Sequence, residues 1–173
     1  EAVEIFIPEL MIVSFESITE YLNRGFSGWG SCVIMSFNGD FSGDMCMVFD
    51  SQASSFWAKV FAMDDSEDPV FASEILLEVG NIIINSCIGA AANWLTTELD
   101  PDLPVFCSQE SGLSQSVAMN SGTSEKVGLN LKLEVKFGVH KCSSNLLIFL
   151  DVQNVESFTK CLERVFDGTN STH

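Results

Sequence analysis

The chain has 173 residues, 46% of them apolar and 18% charged, and this composition indicates a folded protein with a sizeable core. Its 24 acidic residues against 8 basic ones give a net charge of −16, so the clustered Lys and Arg that nucleic-acid binding needs are absent. The length suggests one domain over residues 1–173. The acidity would favour a basic partner, but the simpler explanation is that it keeps the protein soluble.

The six cysteines form no CxxC pair and have no histidine close by, so the spacing of a zinc site is absent. Most of them lie inside apolar runs, as small buried thiols do. We therefore expect reduced, structural cysteines, no metal ligands, and a cytoplasmic protein.

The first half of the chain predicts mainly strands and short helices. In chain order these are an extended run over residues 2–7 ended by Pro8, a short helix over 16–23, a loop over 25–31, strands over 32–37 and 45–49, and a helix over 52–63. Asn38-Gly39 predicts a tight antiparallel connection between the two strands, and Asp50-Ser51 is an N-cap signal for the helix that follows.

The second half begins with an acidic connector at residues 64–68 and a long helical pattern. After that come a rigid turn over 100–104, a short extended piece over 105–107, a mobile loop over 108–125, strands over 127–137 and 145–152, and a helix from Asn154 to Phe166. Strand, hairpin, strand and helix thus occur twice, which predicts two similar halves sharing one antiparallel sheet.

The long helical pattern runs from Pro69 to Leu99 and is apolar almost all round. Its polar side chains recur at spacings of four, three and four, and they are Glu74, Glu78, Asn81 and Asn85. At about 100° per residue they fall within an arc of roughly 60°. On spacing alone, the solvated edge of a core helix is the simpler explanation, but such a stripe is also a candidate site.

Residues 79–97 carry no formal charge, which raises the question of a membrane span. Asparagine and glycine residues interrupt this stretch, and amphipathic strands lie on both sides of it. We therefore predict a buried helix and no membrane span.

Glu78 and Asn81 form an E-x2-N pair, and Pro104 follows after 22 further residues. This arrangement resembles the signature of the CheC/CheX/FliY family of chemotaxis phosphatases. The segment Gly39–Gly43 (GDFSG) resembles the family's G-D-x-x-G hairpin, and Val3–Pro8 resembles the strand after its first helix. The similarity covers roughly residues 3–166 and carries over one site, as in the single-site CheX branch.

The resemblance implies an α+β fold, a pseudo-twofold CheC-like domain whose continuous antiparallel sheet packs against long helices. It also implies hydrolysis of the aspartyl phosphate on a response-regulator receiver domain such as CheY, in chemotaxis or two-component signalling. Mg²⁺ would belong to the phosphorylated receiver, so the chain would need no cofactor of its own. The resemblance also leaves room for a homodimer.

The site residues implied by the resemblance have different roles. Asn81 would orient the attacking water, since a neutral amide is not repelled by phosphoryl oxygens, and Glu78 would accept a salt bridge from the partner's active-site Lys. Pro104 would be a structural part of the motif, and Glu74 and Asn85 would be flanking partner-binding residues.

The sequence departs from the family pattern in two ways. The pattern has Asp or Ser four residues before the motif Glu, whereas this chain has Glu74, which adds negative charge near the site. The helix of the first half would lie before residue 1 and is absent from the chain.

These departures keep other functions open. The main alternative is a non-catalytic CheC-like binding or dimerisation module in the flagellar switch or a signalling complex. A third hypothesis is a small-molecule sensor that uses the apolar interior.

Overall fold

The computed structural model describes residues 3–14, 29–61, 69–108 and 126–170. In chain order the elements are β1 (Val3–Ser14), β2 (Trp29–Gly39), β3 (Gly43–Asp50), α1 (Ala53–Val60), α2 (Pro69–Leu95), β4 (Leu99–Pro101), β5 (Val105–Ser108), β6 (Lys126–Phe137), β7 (His140–Asp151) and α3 (Val152–Asn170). The helix predicted over 16–23, the acidic connector over 64–68 and all but the first residue of the loop predicted over 108–125 lie outside the described residues.

The strands form one antiparallel sheet in the order β1-β6-β7-β3-β2-β4, with β5 also paired to β2. Its central pair is β3 with β7, in a register that runs from Gly43 opposite Leu150 to Phe49 opposite Ser144. Each of these strands has its hairpin partner on the outer side, and each hairpin is followed by a helix. A pseudo-twofold axis between β3 and β7 therefore relates the two halves, which confirms the predicted repeat and the α+β fold class.

A proline interrupts the ladder on both outer sides of the sheet. The register between β1 and β6 shifts between Phe6 and Glu9, around Pro8. On the opposite side, the chain between β4 and β5 ends with Pro104. A proline nitrogen cannot donate to a ladder, so pairing is broken at these positions. The prediction that Pro8 ends the first strand is wrong, because β1 continues beyond this irregularity to Ser14.

Two predicted helix caps are also wrong. α1 begins at Ala53 with Gln52 as its N-cap, and Asp50 instead accepts hydrogen bonds from the backbone N–H of Gln52 (2.9 Å) and of Ser143 (3.2 Å). Asn154 lies inside α3, and its Nδ2 donates to Ser42 Oγ over 2.9 Å. Both side chains connect the two halves of the fold instead of capping a helix.

The helices pack on one face of the sheet, where strand side chains alternate into the core. The buried side chains between the layers include Val33, Met35, Met47, Phe49, Leu133, Val135, Leu146, Ile75, Val79, Ile84 and Ile88. The alternate side chains Ile34, Val48, Leu147 and Phe149 are buried on the other face. Burial on both faces explains why these strands contain long apolar runs.

The strand predicted to begin at Asn145 begins at His140. Cys142 and Ser144 continue the buried alternation toward the hairpin, but serine weakens the apolar pattern that marks a strand. Asn145 is itself buried, and its Nδ2 donates to Asn130 Oδ1 on β6 over 2.8 Å. This hydrogen bond satisfies the Asn145 nitrogen and the Asn130 oxygen inside the sheet, whereas the buried Oδ1 of Asn145 has no hydrogen-bond partner among the described residues.

Gly80 allows α2 to lie directly on β2. A Cβ atom added at Gly80 would be 2.6 Å from Cβ of Val33, a distance that real Cβ atoms essentially never show. This glycine therefore faces a strand of the sheet. The backbone of α2 therefore lies directly against β2 at Gly80, between Glu78 and Asn81.

α2 is less buried than its apolar sequence predicts. It ends at Leu95, before the predicted Leu99, and both Ile82 and Trp94 are about half exposed, at 50% and 56%. The stretch Val70–Leu95 is long and apolar enough to cross a membrane by length and composition, with a mean hydropathy of 1.7. In this structure it packs against β2 and α1, and the expectation of no membrane span stays a prediction.

α2 ends in a Schellman motif. Thr96 adopts a positive φ of 51°, the N–H of Thr97 donates to the oxygen of Ala92, and the N–H of Thr96 donates to the oxygen of Asn93. The Thr97 hydroxyl then donates to the Asp40 carboxylate in the β2–β3 turn. The turn after α2 is thereby tied to the GDFSG segment.

The two glycines of the GDFSG segment are required by close backbone contacts. Gly39 has a φ of 148°, and a Cβ there would be 2.0 Å from the backbone oxygen of Glu98. A Cβ at Gly43 would be 2.3 Å from the backbone oxygen of Phe149. The segment therefore serves as a structural support for the chain that leads from α2 to Pro104.

All six cysteines are free thiols, and all but Cys87 are buried. Burial raises the pKa of Cys142 to about 12, with a further contribution from the negative charge of Asp50. Burial also raises the pKa of Cys87. Thiols with raised pKa values are poor nucleophiles, in agreement with a structural role.

The β6–β7 hairpin has an apolar groove at the place that α2 covers on the β2–β3 hairpin. This groove, of about 210 Å³, lies between α3 and the β6–β7 hairpin, and its lining includes Leu129, Ile148, Val155, Phe158 and Leu162. By the pseudo-twofold relation it corresponds to the space between α1 and the β2–β3 hairpin. The helix predicted for this place would precede the described residues.

The two interior glycines of α2 provide a matched test of its seating on the sheet. Gly80→Ala should lower the free energy of unfolding by about 1–3 kcal/mol, because the clash with Val33 outweighs the gain in helix propensity. At Gly89 an added Cβ meets nothing within 4 Å, so Gly89→Ala should raise the free energy of unfolding by up to about 1 kcal/mol. Urea denaturation measures both, and a stabilised Gly80→Ala variant would contradict the close contact.

Candidate functional site

The polar stripe of α2 lies at the surface, on the side away from β2. Glu74 and Glu78 are exposed, whereas Asn81 and Asn85 are half-buried. Neither carboxylate has an ion-pair partner among the described residues. The stripe is therefore a surface that a partner can reach, and Glu78 is available to pair with a cation from outside the chain.

Asn85 fixes the side-chain amide of Asn81. Its Nδ2 lies 3.0 Å from the backbone oxygen of Asn81 and 2.6 Å from Oδ1 of the same residue. A backbone oxygen can only accept a hydrogen bond, so the Asn85 side-chain atom that contacts it must be the amide nitrogen. Because the same nitrogen also donates to the side chain of Asn81, the atom that it contacts there must be the amide oxygen. Asn85 thus turns toward Asn81, and its role as a flanking partner contact stays a prediction.

The Asn81 amide keeps hydrogen-bonding capacity for a ligand. Its Nδ2 has no partner among the described residues, and Oδ1 can accept a second hydrogen bond. An amide whose orientation is fixed by its neighbour can position a water molecule with little loss of side-chain entropy.

The sheet holds this part of α2 in place from behind. Gly80 rests on Val33 of β2, and Val33 lies opposite Phe106 of β5 in the sheet register. β5 begins directly after Pro104, which is half-buried. The pairing of β2 with β5 therefore connects the E-x2-N pair on α2 to the distant proline. Pro104 itself lies beside the strands behind α2 and is not part of the polar stripe.

An apolar groove borders the stripe. It has a volume of about 350 Å³ and is lined by Phe61, Phe71 and Ile75, together with Glu74 and Glu78. Phe61 is 45% exposed and follows the end of α1, so the groove lies between the end of one helix and the beginning of the next. Two carboxylates thus stand beside an exposed aromatic surface.

Sequence reasoning missed this groove. Phe61 and Phe71 flank the acidic connector over 64–68, and Phe71 and Ile75 are one helical turn apart beside the stripe. These signals were present, but both aromatic residues also fit a buried core. Only the packing of α1 against α2 decides whether these two aromatic side chains are buried in the core or line an exposed groove.

Other ionisable groups lie elsewhere. His140 is exposed in a polar pocket with Lys59 and Lys141, as expected for a residue beside a hairpin turn. Within the described ranges, no group of three or more His, Cys, Asp or Glu side chains could hold a metal ion. The chemistry available at the stripe is that of a neutral amide next to a carboxylate.

No protein-family model and no curated protein matches the chain. Among solved structures, FliY from Thermotoga maritima is similar with a TM-score of 0.70 at 13% identity, over 94% of this chain and 83% of that one. FliM in a FliG–FliM complex from H. pylori gives 0.61 at 12% identity, over 90% and 81%. The chemotaxis protein CheX from Desulfovibrio desulfuricans gives 0.52 at 10% identity, over 84% and 86%. The chain therefore has the fold shared by FliY, FliM and CheX, which confirms, at the level of the fold, its resemblance to the CheC/CheX/FliY family.

Proposed function

We propose that this chain is a cytoplasmic chemotaxis protein that hydrolyses the aspartyl phosphate of a CheY-like receiver domain. The observation that carries the proposal is that Glu78 is exposed, with no ion-pair partner among the described residues, on the same side of the helix as an Asn81 amide oxygen that Asn85 holds at 2.6 Å. The two residues lie almost one turn apart on a helix that is seated on the sheet, so they can engage one partner surface together.

The reaction suits these side chains. Water attacks the phosphorus, the bond from phosphorus to the aspartyl oxygen breaks, and inorganic phosphate and a carboxylate result. The transition state is loose, so catalysis consists mainly of positioning and of stabilising charge. The Asn81 amide orients the water in line, and being neutral it is not repelled by the phosphoryl oxygens. Mg²⁺ on the receiver would balance their charge, so this chain supplies no metal ligand.

Glu78 has a binding role in this proposal. It accepts a salt bridge from the active-site Lys of the receiver and so fixes the register of the two proteins. An exposed ion pair contributes little in water, but a pair that is enclosed at an interface is screened less. The net charge of −16 would also attract a receiver that presents basic residues.

Asn81→Ala tests the catalytic role. Acyl-phosphorylated receiver is mixed with this protein, and the loss of phosphate is followed over time. If water orientation contributes a hundredfold, Asn81→Ala lowers the rate at saturation about 100-fold, or about 2.7 kcal/mol, with the affinity for the receiver retained. Asn93→Ala is the control, because Asn93 is an exposed asparagine of the same helix outside the stripe. An Asn81→Ala variant with full activity would refute the assignment.

Asn85→Ala tests whether the fixed amide matters. Losing the hydrogen bond of 2.6 Å frees the Asn81 side chain, so we expect the rate at saturation to fall about tenfold, or about 1.4 kcal/mol. Asn85→Asp should lower it further, since a carboxylate would face Oδ1 of Asn81. Ser86→Ala is the control, because its hydroxyl bonds only to the backbone oxygen of Ile82, over 2.7 Å. If both Asn85 variants and the Ser86→Ala control had the same rate at saturation as the unchanged protein, Asn81 would need no positioning by Asn85.

A non-catalytic binding or dimerisation module is the second candidate function, and Glu74 is the observation that favours it. Its carboxylate is exposed one turn before Glu78, where it would add repulsion against a phosphoryl group. FliM in the complex with FliG is a similar fold bound to a protein partner. This candidate predicts receiver binding without acceleration of phosphate loss in the assay above.

A further inference from the structure

We propose that the groove of Phe61, Phe71 and Ile75 selects the protein partner by receiving one bulky apolar side chain that lies beside a Lys or Arg. The inference rests on the proposed function, since the partner is taken to be the receiver domain. The groove would provide specificity, whereas Glu78 and Asn81 act at the phosphoryl group.

The groove has the size and the rigidity for an apolar side chain. Its volume of about 350 Å³ is at the lower end of the range for ligand pockets, which suits one or two side chains. Phe61 leans against Trp57 with ring centroids 6.1 Å apart, and Trp57 meets Phe56 edge to face at 5.3 Å. Trp57 and Phe56 are buried, so the exposed wall of the groove rests on a fixed aromatic cluster.

The charges around the groove specify a basic neighbour. Glu74 and Glu78 both line it and are one helical turn apart, so they repel each other in the free protein. A Lys or Arg at the partner surface removes this repulsion and pairs with Glu74, while Glu78 remains directed at the active-site Lys.

Glu74 has a function in this contact with a basic residue of the partner. The family pattern has Asp or Ser at this position, and a longer carboxylate beside the reacting group would only hinder hydrolysis. At the rim of the groove its reach is useful, because it can contact a basic residue next to the inserted side chain. Glu74 is thus a specificity residue and not part of the catalytic pair.

The experiment measures the half-saturating concentration of the acyl-phosphorylated receiver and the rate at saturation for three variants. Phe61→Ser and Glu74→Lys should each raise the half-saturating concentration about tenfold or more, with a smaller effect on the rate at saturation. The control is Val139→Ser in the β6–β7 turn, where the side chain is 91% exposed and far in sequence from the groove. Its values should equal those of the unchanged protein.

Salt separates the two parts of the proposed contact. The loss caused by Glu74→Gln should shrink between low and high salt, because the charge pair is screened, whereas the loss caused by Phe61→Ser should persist. Circular dichroism checks the fold of each variant. Glu74 is an exposed helix residue, so its variants keep the test valid even if Phe61→Ser is unstable.

Three outcomes would overturn the inference. If Phe61→Ser and Glu74→Lys both keep the original half-saturating concentration while Asn81→Ala loses activity, the groove has no role and the phosphatase stands. If the unchanged protein neither binds nor dephosphorylates any receiver, both proposals fail. If Phe61→Ser converts a dimer into a monomer in size-exclusion chromatography, the groove joins two copies of this chain instead.

Discussion

The close contact between Gly80 and Val33 is the constraint on which the rest of the site depends. It brings the backbone of α2 onto β2, and thereby fixes which side of an almost uniformly apolar helix is turned outward. Without a Cβ at this position, the helix can lie flat on the sheet; with one, the helix would have to move away. The side of α2 that is turned outward therefore depends on the lack of a Cβ atom at Gly80, on the side that faces the sheet.

Under the proposed function, the candidate site would separate binding from chemistry. Glu78 and Glu74 are exposed carboxylates, suited to recognising a basic surface, and the groove beside them offers an apolar contact. Asn81 is half-buried and held by Asn85, as a group that positions a water molecule should be. A mobile amide would have to be ordered during the reaction, and a buried carboxylate would have to be desolvated before a partner arrived.

The fold is symmetric, but its surface is not. The two hairpins and the helices that follow them are related across the central strands β3 and β7, yet among the described residues only the β2–β3 hairpin is also covered by α2. The second half shows an apolar groove at the corresponding place. The described residues thus present one exposed E-x2-N stripe, and any activity of this surface depends on a single helix.

The amino-acid sequence by itself predicted the repeat, the stripe and three of the strands. The runs over 32–37, 45–49 and 127–137 indicated β2, β3 and β6, and the spacing of Glu74, Glu78, Asn81 and Asn85 placed them on one side of a helix, because such patterns follow from local geometry. Tertiary structure decided the remainder. It determined that Ile82 and Trp94 are half exposed, that Asn154 bonds to Ser42, and that Phe61 and Phe71 line a groove. These features depend on which distant segments meet, and hydrophobicity alone does not specify whether an apolar side chain finds a neighbour or remains at the surface.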